Sequence, residues 1–188
     1  MSFLKNNNFD LKNTDFTDDT NYDYQSYRIL IDTSVNNNSV TNKGNYTVTF
    51  TPHNNTQNQI LINIGTLKNV VAVRLLGYSF PNNSDGILYN ILSIDELRDN
   101  QLYSNVKEAN GSFELLFSRD SDTSISFSKP QTSSTNYHYY NPPLNKLSKM
   151  TITINSYSEN SGDIILNTSD HVLYFEIQTR TPYKKFFI

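Results

Sequence analysis

The sequence predicts an all-β protein built as an antiparallel β-sandwich, and three observations carry that expectation. Of 188 residues, 27 are Asn, 21 are Ser and 18 are Thr; Tyr (13) and Phe (11) supply much of the bulk, and the only alanines are Ala72 and Ala109. A chain so poor in the best helix former and so rich in aromatic and β-branched residues favours strands. Apolar residues recur with period two along most of the chain. The strand-like runs are divided by Asn-, Ser-, Gly- and Pro-containing turns, with no strand–helix–strand rhythm and no internal repeat, so each strand is expected to bury one face against a second sheet.

Residues 1–24 stand apart. They carry Asp10, Asp15, Asp18, Asp19 and Asp23 against Lys5 and Lys12, while residues 25–188 hold 13 basic and 13 acidic side chains. With only Phe3, Leu4, Phe9, Leu11 and Phe16 scattered among Asn, Asp and Thr, this stretch cannot offset its own ordering entropy. It reads as an N-terminal arm, either flexible or ordered by a partner. From Tyr27 the strands begin. Tyr27–Asp32 is the first. In Asn45–Thr51, Tyr46, Val48 and Phe50 alternate with threonines, and Gln59–Ile64 puts Ile60, Ile62 and Ile64 on one face. Asn69–Phe80 is apolar on both faces, which places it centrally. Pro81–Gly86 is a loop by its turn chemistry, and Ile87–Ile94 is a buried strand. Asp95–Asn110 is the one candidate helix or irregular excursion. Ser112–Ser118 and Thr123–Ser128 read as a hairpin around Arg119–Asp122. The Tyr-rich stretch from Ser133 ends at Pro142-Pro143, which is expected to stop a ladder. Met150, Ile152 and Ile154 mark another strand, and Leu173, Phe175 and Ile177 mark the last, over His171–Thr179.

Eight to nine short strands exceed the seven of an immunoglobulin-like sandwich and suit a single jelly roll over residues 25–180. Residues 181–188 then form an apolar, basic tail.

Composition and motifs exclude much chemistry. Without cysteine there is no disulfide, thiolate zinc site or thiol nucleophile. A formal charge of −3 argues against a phosphate-neutralising nucleic-acid binder. His53, His138 and His171 are too widely spaced to read as a metal motif and are expected at the surface or at strand ends. Asp120-Ser121-Asp122 lacks the rest of a calcium loop and reads as a turn. Asp95, Glu96 and Asp99 have the composition of an acid pair for glycoside chemistry, but adjacent acids more often open a helix. No phosphate-binding or nucleophile-elbow motif occurs. The expectation is therefore a protein that is not an enzyme and takes no metal or cofactor. No apolar run is long enough to span a membrane, and Met1–Lys5 passes into Asn6-Asn7-Asn8 without the core of a secretory signal.

Aromatic residues remain as candidate interface anchors. Tyr137, Tyr139 and Tyr140 cluster with His138 ahead of the Pro pair, in a form suited to stacking on a sugar or anchoring a protein contact. Phe3, Phe9 and Phe16 are the anchors of the arm. Phe186, Phe187 and Ile188, after Lys184-Lys185, would be poorly solvated unless docked on the domain or on another subunit.

Three stretches carry a resemblance: Leu88–Leu97, a strand ending in Ile-Asp-Glu-Leu; Tyr140–Ile152, a Pro pair followed by Leu144-x-x-Leu147 and an alternating strand; and Asp170–Ile177, an acid–His pair opening the last strand. Together, over roughly residues 69–180, they resemble the small single-jelly-roll capsid proteins of nucleocytoplasmic large DNA viruses (giant viruses). The resemblance implies a structural virion protein, a penton or minor capsid component. It would be made in the host cytoplasm and assembled into an icosahedral capsid with itself, as a pentamer in the penton case, and with other capsid proteins. The residues also admit a β-sandwich carbohydrate- or receptor-binding module.

Overall fold

The computed structural model describes residues 22–35, 40–52, 58–80, 87–98, 104–117, 137–158 and 162–182. They form two sheets packed face to face. The four-stranded sheet runs in the order β1 (Tyr22–Asp32), β10 (Val172–Pro182), β4 (Leu67–Ser79), β7 (His138–Leu147). The six-stranded sheet runs β3 (Gln59–Leu61), β2 (Asn45–Thr49), β8 (Lys149–Ser158), β5 (Ile87–Ile94), β6 (Glu114–Phe117), with β9 (Ile164–Leu166) also pairing β8. Every pair is antiparallel except the short β2·β3 pair. Setting aside the three-residue strands β3 and β9, the pairing is nested: β1 with β10, β2 with β8, β4 with β7, β5 with β6.

Alternation builds the core. Ile29 and Ile31 of β1, Tyr46 and Val48 of β2, Met150, Ile152 and Ile154 of β8, and Leu173, Phe175 and Ile177 of β10 all point between the sheets and are buried. Each such side chain contributes about 1.5–3 kcal/mol of transfer free energy. Phe50, Phe113 and Phe175 are among the largest side chains fully enclosed. As its apolar sequence predicts, β4 lies inside its sheet, between β10 and β7.

Several expectations are corrected. β1 starts at Tyr22, earlier than Tyr27, because Asp23, Tyr24, Gln25 and Ser26 are exposed and give no periodic signal; backbone pairing with β10 holds them. The strand expected over Gln59–Ile64 stops at Leu61; Ile60 is buried, whereas Ile64 is exposed after the chain turns away at Ile62. Pro142 and Pro143 do not end the ladder. β7 passes through them at the sheet edge, pairing His138 and Tyr139 before the prolines and resuming at Leu144, with the register broken between. A residue lacking N–H is tolerated there because an edge strand at an irregularity has no bond to lose. The excursion after Ile94 contains two 3-10 turns, Asp95–Leu97 and Lys107–Ala109, rather than an α-helix. The second half of the expected hairpin, Thr123–Ser128, lies outside the described residues, as do residues 1–21 of the arm and 183–188 of the tail.

Two local devices finish the six-stranded sheet. β2 and β9 lie end to end along the same side of β8, with the Ile154 N–H bonded to Gly44 O and the Asn167 N–H bonded to Ile154 O. A Cβ on Gly44 would overlap the carbonyl of Asn167, so only glycine fits where the strand ends meet. Where β5 stops pairing, Glu96 takes over: its carboxylate accepts the Thr151 N–H at 2.6 Å and the Thr151 hydroxyl at 3.0 Å, while Leu97 turns into the core. The Ile-Asp-Glu-Leu stretch is thus a strand terminator, each of Ile94, Glu96 and Leu97 being fixed by packing or hydrogen bonding.

Candidate functional site

Period two directs Glu176 of β10 and Arg74 of β4 outward, onto the exterior of the four-stranded sheet, where they are cross-strand partners. Yet Glu176 is only 5% exposed. Arg74 donates to its Oε2 through Nε at 2.6 Å and lies 2.5 Å away through a terminal nitrogen. Tyr137, just before β7, donates its hydroxyl to the same oxygen at 3.1 Å and accepts from Gln178 Nε2 at 3.0 Å. The Arg74 guanidinium sits 4.4 Å from the Tyr137 ring centre, and Arg28 of β1 approaches the other carboxylate oxygen at 4.0 Å. Three strands and the approach to a fourth therefore converge on one carboxylate. Partners on both sides make enclosing that charge tolerable. Burial, reinforced by the hydrogen bond to Glu176 and opposed by Arg74, pushes the Tyr137 phenol up to about 12, so it stays a donor.

The cluster braces an aromatic patch. The Tyr139 ring lies 5.7 Å from that of Tyr137 and is 41% exposed. Tyr140 points the other way, packing against the core with its hydroxyl 3.4 Å from Leu97 O. Of the candidate anchors, Tyr137 and Tyr139 are thus brought together outside and Tyr140 belongs to the core side. Phe3, Phe9, Phe16, Phe186, Phe187 and Ile188 lie outside the described residues.

A second polar cluster closes one end of the sandwich. His171, expected at the surface or at a strand end, directly precedes β10 and is buried. Its Nδ1 donates to Ser169 O at 3.0 Å, which leaves Nε2 to accept the Tyr46 hydroxyl at 2.9 Å. Its ring stacks on Phe80 at 5.4 Å, and Thr33 bonds its backbone. Burial, only partly offset by the Ser169 carbonyl, holds the imidazole below the ordinary histidine range; burial likewise pushes the Tyr46 phenol far up. His138 stacks on Phe113 at 4.2 Å, away from His171. Glu96 is committed to Thr151 and Asp95 to Arg98, so they do not face each other as an acid pair; Asp99 and His53 lie outside the described residues. Among the described residues no three His, Asp or Glu side chains are grouped to hold a metal, and no helix is long and apolar enough to cross a membrane.

Sequence reasoning passed over the Arg74–Glu176 pair. Its signal was one charge of opposite sign in the middle of each of two apolar strands, Val70–Leu76 and Leu173–Ile177. Compared with protein-family models and with curated proteins, the sequence matches none.

Proposed function

We propose that the chain is a structural virion protein, a penton or minor capsid component on a single jelly roll, which builds a shell through its sandwich sides and terminal arms. The observation that carries this reading is the nested strand order. Pairing β1 with β10, β2 with β8, β4 with β7 and β5 with β6 is what an antiparallel ribbon gives when rolled into two sheets, the jelly-roll arrangement found in capsid subunits, lectins and cupins. The same order favours the capsid member of that group. Tyr22 pairs with Pro182, so residues 1–21 and 183–188, which carry Phe3, Phe9, Phe16, Phe186, Phe187 and Ile188, continue from neighbouring strand ends at one corner. Two aromatic segments leaving one corner supply the contacts that close a ring of like subunits. The role requires no catalytic group.

Light scattering after size exclusion tests this. The full chain should run as a closed oligomer, a pentamer for a penton, and replacing Phe9 and Phe16 with Asp should leave a folded monomer. A monomer at every concentration, or unfolding of the variant, would count against arm-mediated assembly. A binding module for glycans is the second reading, favoured by the braced Tyr137–Tyr139 pair. Saturable glycan binding lost in Tyr139→Ala, with no self-association, would put that reading first.

A further inference from the structure

We infer that the outer face of the four-stranded sheet is the seat of residues 1–21 of a neighbouring copy. This rests on the capsid reading and names the surface on which its arm lands. The face carries five cations, Arg28, Lys68, Arg74, Lys146 and Arg180, against two carboxylates, Asp32 and Glu176. Residues 25–188 as a whole are balanced, so the positive excess is local. Arg28 is 67% exposed, and Lys68 faces Lys146 directly across the ladder, a like-charge pair that gains from an anion laid over it. Between the cations stand exposed apolar groups on the same face: Leu30 at 60%, Tyr24 at 48% and Tyr139 at 41%. The complement is residues 1–21, which hold Asp10, Asp15, Asp18 and Asp19 against two lysines and space Phe3, Phe9 and Phe16 among them. Opposite charge would steer the segment, and the phenylalanines would gain burial on Leu30 and the tyrosines.

Position and reach agree. The segment joins β1, the edge strand of this very sheet. Twenty-one residues extend to about 70 Å, roughly twice the ~36 Å length of an eleven-residue strand. Landing on its own sheet would require the chain to reverse direction beside Tyr22. A neighbour's sheet is reached with the chain extended. The outer face of the six-stranded sheet lacks that positive excess: its Lys149 pairs with Glu96 at 3.4 Å, and Thr47, Thr151, Thr153 and Asn155 share it with Leu61 and the Tyr89–Tyr157 pair.

The natural absence of cysteine allows a direct test with full-length protein. Asn13→Cys protein is mixed with Ser26→Cys protein, oxidised and run on a non-reducing gel, with the mass of each sample measured by light scattering. Ser26 is exposed on the proposed face; Thr153→Cys, on the opposite face, is the control. The expected result is a disulfide-linked pair of Asn13→Cys and Ser26→Cys chains, scarce with Thr153→Cys. Its yield should fall about fivefold in Lys68→Glu, a change that converts the Lys68–Lys146 contact into an opposite-charge pair and so spares the fold. Equal yields from Ser26→Cys and Thr153→Cys would overturn the inference. So would a bond that forms only within single chains of the Asn13→Cys/Ser26→Cys double variant. If oligomers form without the cross-link, the inference fails while the capsid reading stands. If no oligomer forms, the inference fails together with the penton form of the capsid reading.

Discussion

The two sheets share one core but present opposite exteriors. On the six-stranded side, Thr47 faces Thr151 and Ser93 faces Thr153 across the ladders, and Tyr89 stacks on Tyr157 at 5.1 Å. That surface is neutral and rich in hydroxyls. On the four-stranded side, Arg74 and Arg28 flank a nearly enclosed Glu176 beside a tyrosine pair, and Lys68 and Lys146 face each other on the same surface. The inward residues are similar in kind, mostly Ile, Val, Leu and Phe on both sides, with Tyr46 and Met150 on the six-stranded one. The comparison shows that period two decides what faces the core and leaves the outward positions to carry the difference in surface chemistry.

The sharpest way to break the comparison is Glu176→Ala. Arg74 and Tyr137 would lose their shared acceptor, and unfolding in urea should show a loss of about 3 kcal/mol. Glu176→Gln, which keeps the shape, should cost less. A similar loss in Gln and Ala would mean that charge rather than packing holds the cluster. The next largest effect belongs to the other sheet. Gly44→Ala should cost about 2 kcal/mol by driving β2 away from Asn167, read as a lower urea midpoint with the slope unchanged.

The joint between the sheets supplies the third test. His171 bonds Tyr46 of the six-stranded sheet while stacking on Phe80 at the end of β4. Its folded-state affinity for protons is lowered by burial, so the unfolded chain binds the extra proton and stability falls on acidification. The loss begins near the unfolded value of about 6.5 and is bounded by about 1.4 kcal/mol for each pH unit below it. Urea midpoints at pH 7.5 and 5.5 should differ in the native protein and converge in His171→Gln. The smallest effect is expected on the neutral face, where Thr153→Val should change stability by no more than about 0.5 kcal/mol. A larger change would show that the hydroxyl surface is structurally committed.

The sequence made the sandwich legible because its inward rows are pure: Ile152 and Ile154, or Leu173, Phe175 and Ile177, alternate with polar residues without a break. It did not reveal the start of β1, since the backbone of Tyr22–Ser26 is held by β10 and no apolar alternation marks its largely exposed side chains. Nor did it reveal β7, where prolines signal a stop that an edge strand with broken register tolerates. The Tyr137–Tyr139 platform was readable as a cluster of aromatics. Its bracing was not, because Glu176 and Arg74 are 102 positions apart and only the strand order makes them neighbours. The place of His171 at a strand end was legible, but its burial was not, its partner Tyr46 being 125 residues away.

The nested pairing also sets the order in which the chain can be made. β5 and β6 are close in sequence and can meet early, whereas β4 lacks both its sheet neighbours until β7 and then β10 have been synthesised. At ribosomal speed the stretch from Ser79 to Pro182 takes roughly 5–20 s. Throughout the interval before β10 appears, Val70–Leu76, the most apolar run in the protein, is a strand without its full complement of partners. Arg74 interrupts that run. The residue that later grips Glu176 is therefore, in the nascent chain, the charge that keeps an open strand from pairing with the wrong one.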